Sequence, residues 1–416
     1  MKFRSRCYVR PMMPPVRWLA LLMMTLIIVG CAGRRTRLSY AQSPGALGFT
    51  AALYDELRQE RGNLFFSPAS LRVTLALATG GARGKTAQQL RAALRLADGD
   101  AAHAAMAGSL ERWSAIGNGG QIQLRVANRL WAHRDLTLAP QFVALARDQY
   151  HAPVAQLDFA DGEGSRNVIN HWVGEQTSHM IDELINPGAL NRLTRLVLTN
   201  AVFFKAKWQN EFEASLTKPA PFLGAARGTQ AQLMHQEARL LYRELDGGQL
   251  LELPYGNGDV VLDVLLPSDP KGLRALEDQL VAGALQGWLA SLDQRLVDVY
   301  LPKFHASWGA QLADTFAAMG APLAFSRAAD FSGIAAADRS PLCISEVAHQ
   351  AVIDVDEEGT TAAAATAVIV AMPSASLERE EKPIVFRADH PFVYLIRAKS
   401  SDEILFLGRL VDPAAR

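Results

Sequence analysis

Cysteine is scarce in this chain, and an excess of either charge is missing. Three cysteines occur in 416 residues: Cys7 and Cys31 near the start and Cys343 in the body. That count rules out a disulfide framework within the folded part. Cys343 sits in Leu342-Cys343-Ile344, an apolar, strand-like run that suits a buried and inert thiol. Lys plus Arg equals Asp plus Glu at 42 each, so no net field favours nucleic acid or an anionic surface. No low-complexity tract or fixed-period repeat is present, and 49% hydrophobic residues supply material for a large core.

Catalytic signatures are missing as well. The chain has no His-Glu-x-x-His, no Gly-x-Ser-x-Gly, no Walker loop and no paired cysteines for zinc. Its 9 histidines are scattered without metal spacing. Ser215-Leu-Thr-Lys218 fits the Ser-x-x-Lys nucleophile pattern, but the Ser-Asp-Asn and Lys-Thr-Gly companions are absent. The expectation is therefore a protein that is not an enzyme and that uses no metal or cofactor. His349, on the apolar run 347–353, reads as a hydrogen-bonded core histidine. Asp356, Glu357 and Glu358 read as a solvated charge run beside a glycine.

The first residues have the layout of an export signal. Arg4, Arg6, Arg10 and Arg17 precede an apolar run from Trp18 to Val29, too short for a comfortable membrane span. The run closes on Ile28-Val29-Gly30-Cys31, which resembles a bacterial lipobox with Cys31 as the acylated residue. The expected organisation is a lipoprotein-type signal over 1–30, a tether over 31–44 and one folded domain over 45–413. An ordinary secretory signal cut near Ala32-Gly33, or a short uncleaved anchor, gives the same export. The mature protein is then secreted or membrane-anchored, periplasmic or at the cell surface, and touches the membrane only through the lipid.

Apolar periodicity predicts helices over 46–57, 68–82, 86–96, 101–116, 139–150 and 167–184, then over 272–289 and 308–319. Strands are predicted over 63–66, 122–131, 195–205, 240–253, 260–266, 296–301, 344–355, 385–397 and 404–411. No linker divides 45–412, which favours a single large α+β domain. The longest unpatterned stretch, 372–382, follows the run Gly359-Thr-Thr-Ala-Ala-Ala-Ala-Thr-Ala-Val368, where nothing is larger than Thr before Val368.

Several segments together carry a resemblance. Asn63-Leu-Phe-Phe-Ser-Pro-Ala-Ser70, Gly80-Gly-Ala-Arg-Gly-Lys-Thr86 and Leu196-Val-Leu-Thr-Asn-Ala-Val-Phe-Phe-Lys-Ala-Lys-Trp208 are similar to serpin segments. So are Leu301-Pro-Lys-Phe304, Asp330-Phe-Ser-Gly333 and Phe386-Arg-Ala-Asp-His-Pro-Phe-Val-Tyr-Leu-Ile396, in order along the chain. The resemblance implies three β-sheets, about nine helices and an exposed reactive-centre loop at about 357–382. It places Ser67, Ser70, Asn200 and His349 in a polar cluster beneath the central sheet, and Trp208 and Glu358 where the loop enters it. It makes Glu358, Gly359, Thr360, Thr361, Ala362, Ala363, Ala364 and Ala365 the hinge of an inhibitory member.

Under that resemblance the chain is a suicide-substrate inhibitor that traps an acylated serine protease by adding its cleaved loop to the sheet. The residues suit this. Alternation puts Thr360, Ala362, Ala364, Thr366 and Val368 on one face and Thr361, Ala363, Ala365 and Ala367 on the other, all small or β-branched. No charge would be buried between Gly359 and Pro373, and Glu358 marks a natural stop. Roughly a dozen new ladder hydrogen bonds are worth on the order of 10 kcal/mol, and the segment spans roughly 40 Å.

Family spacing puts the reactive bond at Pro373-Ser374, with Ala371-Met372 and Ser374-Ala375 as shifted alternatives. No Lys or Arg lies between Gly359 and Glu378, so the expected partners are elastase-like or subtilisin-like serine proteases, held by a monomer in a covalent 1:1 complex. The alternative is a non-inhibitory member acting as a binding, chaperone or structural protein. Bulky, charged or Pro residues would mark such a hinge, and Thr360 to Ala367 has none.

Overall fold

The computed structural model describes residues 45–97, 99–117, 121–224, 229–335, 342–360 and 381–415. The expected signal, tether and Cys31, the hinge residues from Thr361 to Ala365 and the reactive-bond candidates from Ala371 to Ala375 lie outside the described residues.

The chain opens with α1 (Gly45–Leu57), β1 (Leu64–Phe66), α2 (Pro68–Gly81), α3 (Gly84–Ala93) and α4 (Asp100–Gly117). Next come β2 (Ile122–His133), α5 (Pro140–Tyr150), β3 (Ala155–Leu157) and α6 (Gly162–Gln176). Strands dominate afterwards: β4 (Leu196–Lys207), β5 (Lys218–Pro221), β6 (Gln230–Leu245), β7 (Gly248–Tyr255) and β8 (Val260–Pro267). After α7 (Leu273–Val281) and α8 (Leu285–Ala290) follow β9 (Asp293–Pro302), β10 (Phe304–Gln311) and α9 (Ala313–Ala318). The last elements are β11 (Ile344–Val355), β12 (Gly359–Thr360), β13 (Ile384–Arg387), β14 (Phe392–Ala398) and β15 (Glu403–Leu410).

Two hydrogen-bonded sheets result. One has six strands in the order β10-β11-β12-β4-β2-β3, with β11 also paired to β4. The other has nine, in the order β1-β15-β14-β8-β7-β6-β9-β13 with β5 on β6. The expected third sheet is the β5-β6-β9-β13 portion of the latter. It joins the rest through β6, which pairs with β9 over Leu233–Tyr242 and with β7 over Leu241–Leu245.

Helix α2 starts because Ser67 caps it, its hydroxyl accepting the Ser70 amide at 3.2 Å with Pro68 in the first turn. Almost every side chain of α2 is buried, so it runs through the main core. A second core of Ala127, Trp131, Phe159, Ile169, Val173, Val197, Ala201, Ala348 and Val352 fills the space between α6 and the six-stranded sheet. Both faces of that sheet are therefore covered.

Several element boundaries differ from the periodicity reading. The helix expected over 308–319 is strand as far as Gln311, because β10 pairs with β11 from Phe304 opposite Val355 to Gln311 opposite Ala348. The helix over 272–289 is interrupted at Gly283, whose φ of +96° is left-handed. The strand over 240–253 is a hairpin turned at Gly247, φ +78°. Helix α6 begins earlier, capped by Asp161, and ends before Ser178 and His179, both left-handed.

Candidate functional site

Strands β11 and β4 lie side by side and parallel, from Ile344 opposite Leu196 to Val352 opposite Phe203. Above that point they part. The chain leaves β11, reverses, and seats β12 between them, antiparallel to each: Thr360 faces Val355 on one side and Ala206 on the other. A strand has therefore begun between two strands that are directly paired lower down.

Asp356 makes the reversal. Its Oδ1 accepts the amides of Glu358 at 3.0 Å and Gly359 at 3.2 Å, while its own amide donates to the Gly359 carbonyl at 2.9 Å. Gly359 has φ +150°, and a Cβ there would lie 2.1 Å from the Ala206 carbonyl oxygen, so the seat requires glycine. Trp208 fastens the turn from β4: its amide donates to the Glu358 carbonyl at 2.9 Å and its indole Nε1 to the Asp356 carbonyl at 2.8 Å.

Thr360 is fully buried, and its hydroxyl shares a 2.9 Å hydrogen bond with the Tyr255 phenol. Tyr255 stacks on Trp208 with ring centroids 4.4 Å apart, and burial pushes its phenol well up, so it stays neutral.

The three acidic residues are not the solvated charge run that their composition suggests. Burial pushes the Asp356 carboxyl up, against the pull of its two amide donors. Burial opposes ionisation of Glu357 too, yet the Lys303 ammonium at 2.5 Å and the Thr217 hydroxyl at 2.8 Å hold it below the usual carboxylate range. Glu358 Oε2 is a buried atom without a hydrogen-bond partner, 3.9 Å from the Lys207 ammonium. Long-range partners make this segment structural.

Lower on the same seam lies a polar cluster. His349 of β11 stands opposite Asn200 of β4. Its Nε2 accepts the Ser67 amide at 3.2 Å, so the ring proton is on Nδ1, which bonds the Asn200 side-chain oxygen at 2.5 Å. Burial pushes the imidazole down to about 3, keeping it neutral. Asn200 Nδ2 donates to the hydroxyls of Ser70 at 2.5 Å and Thr74 at 3.0 Å, and the Ser67 hydroxyl donates to the Leu405 carbonyl at 2.7 Å. The cluster thus ties β11, β4, α2 and β15 together where β11 and β4 are still paired.

The structure groups Ser67, Ser70, Asn200 and His349 in one cluster, and Trp208, Glu358, Gly359 and Thr360 at the opening above it. Sequence reading missed Tyr255, Asn128, Thr74, Thr217 and Lys303. Asn128 lies opposite Asn200 on β2 and also accepts from it. Lys303 falls inside Leu301-Pro-Lys-Phe304, a segment already singled out, whereas nothing local distinguishes Tyr255 or Thr74. Ser215 of the Ser-x-x-Lys match is exposed and donates to the Glu213 carboxylate at 2.5 Å. Chemically, this arrangement holds a two-residue strand between β11 and β4.

Comparison with known proteins identifies the family. A family model described as serpin (serine protease inhibitor) matches residues 45–413. The leukocyte elastase inhibitor of Bos taurus is 40% identical over 364 residues, covering 85% of this chain and 93% of that protein. A serpin-like protein of Thermococcus kodakarensis is 37% identical over 376 residues, covering 88% and 84%. Among solved structures, Serpin48 of Tenebrio molitor gives a TM-score of 0.78 at 32% identity, covering 91% of this chain and 99% of that one. Uncleaved ovalbumin gives 0.81 at 27% identity, covering 89% and 100%. With a family model matched over residues 45–413 and relatives 37–40% identical over most of their length, this chain belongs to the serpin family.

Proposed function

We propose that this serpin is a suicide-substrate inhibitor of elastase-like or subtilisin-like serine proteases. The observation that supports it most is β12: Gly359 and Thr360 already occupy the first positions of a new strand between β11 and β4. In this reading the protease serine attacks a carbonyl near Pro373-Ser374, the amide breaks, and an acyl ester joins the two proteins one to one. The segment behind Thr360 is small and uncharged, so it follows into the sheet and carries the protease away before water can hydrolyse the ester. The elastase inhibitor named above and the lack of Lys and Arg from 359 to 378 favour small aliphatic specificity.

Incubation with pancreatic elastase and with subtilisin, followed by denaturing electrophoresis, tests the proposal. A covalent 1:1 adduct is expected. Loop cleavage with full recovery of protease activity from both would overturn it and favour a binding, chaperone or structural role. Export as a lipoprotein through Cys31 is part of the same proposal. Labelled fatty acid should enter the wild-type chain in a bacterial host and not Cys31→Ser, and equal labelling of the two would refute the anchor.

A further inference from the structure

The Tyr255 phenol ends β7 and belongs to the nine-stranded sheet, paired with Val260 of β8. It nevertheless reaches across to the buried Thr360 hydroxyl, 2.9 Å away, in the six-stranded sheet. Its ring is held on two sides, stacked on Trp208 at 4.4 Å and edge-on to Phe204 at 5.3 Å, and its backbone bridges Trp208. The anchor therefore stands on the sheet that does not have to part. We propose that Tyr255 is a positioning residue that seats Thr360 and so sets the register and the starting point for every residue that follows it into the sheet. This rests on the inhibitory reading given above.

The physical reason is nucleation. The first residues of a strand inserted between two others fix many backbone angles for few hydrogen bonds, so starting is the unfavourable part. With Thr360 already bonded to an immobile phenol, that cost is met before cleavage, and entry of Thr361 onward only extends an existing strand. Packing alone does not need the oxygen, because phenylalanine would stack on Trp208 equally well. The hydroxyl is needed for Thr360, whose own hydroxyl would otherwise be buried at 0% exposure with this partner removed.

The test is a double-variant cycle of Tyr255→Phe, Thr360→Val and both together, in the full chain. Hydrogen exchange at the Trp208 amide, which donates to the Glu358 carbonyl, reads how firmly the turn is seated. Each single variant leaves one buried hydroxyl unmatched and should speed that exchange roughly tenfold. The inhibitor consumed per protease trapped should rise about twofold or more, as slower insertion lets more acyl-enzyme hydrolyse. The double variant has no bond left for the second change to break, so both readings should stay about as impaired as in the more affected single. Singles indistinguishable from wild type, a double equal to the sum of its singles, or a double back at wild-type values would overturn the proposal. If wild type itself forms no adduct, the inhibitory reading falls, and the exchange cycle still decides whether Tyr255 seats Thr360.

Discussion

The two ends of the β4–β11 seam are built on opposite principles. At the upper end the strands have parted, and the gap holds a glycine and a threonine fastened by Trp208 and Tyr255. At the lower end the same strands are paired, and His349, Asn200 and Ser67 tie that pairing to α2. The upper end demands small residues and one special backbone angle, while the lower end is a satisfied polar network buried away from water. In the proposed insertion each step would replace one β4–β11 pairing with two new ladders, which favours only side chains that fit between the covered faces.

Thr360→Arg attacks the upper end most severely, because an unpaired guanidinium would have to occupy a fully buried site at a cost of several kcal/mol. Adduct formation with elastase should disappear while loop cleavage persists. Gly359→Ala is next: a Cβ 2.1 Å from the Ala206 carbonyl and a φ of +150° together cost on the order of 3 kcal/mol. Trp208 amide exchange should speed greatly, and the polar cluster below should keep its protection.

The lower end is distinguished by pH. His349 titrates at about 3 in the folded protein and near 6.5 when unfolded, so below about pH 6.5 the unfolded chain takes a proton that the folded one refuses. Stability from this group is complete at neutral pH and falls as the pH drops toward 3. Between pH 7 and pH 5 the loss is about 2 kcal/mol, and His349→Gln should flatten the denaturation midpoint over that window by this amount. An unchanged slope would show that the imidazole is not held neutral. Lys303→Met is expected to have the smallest effect, about 1 kcal/mol, since the ammonium is 39% exposed and screened. It should loosen the turn through Glu357 without altering the pH slope assigned to His349.

Much of this seam could be read from the amino acids. β11 matches its expected span, 344–355, because it is apolar and bounded by the charged turn at Asp356. Gly359 and Thr360 are equally plain as small, uncharged residues, since size and absence of charge are local properties. The acidic turn is misread for the opposite reason: whether Asp356, Glu357 and Glu358 face water depends on Trp208, Thr217 and Lys303, which fold in from far along the chain. The strand from Phe304 to Gln311 shows the same limit, its extended form coming from pairing with β11. Tyr255 lies just beyond the strand predicted over 240–253 and carries no local signal, and only when the two sheets are brought together does its oxygen meet Thr360.

The central claim is that the chain gains stability when the segment behind Thr360 joins β4 and β11. It is tested most directly by thermal unfolding before and after a single proteolytic cut within 361–380. Roughly a dozen new ladder hydrogen bonds, on the order of 10 kcal/mol, predict a rise in Tm of at least about 10 °C for the cleaved protein. A Tm that stays the same or falls after the cut would contradict the account.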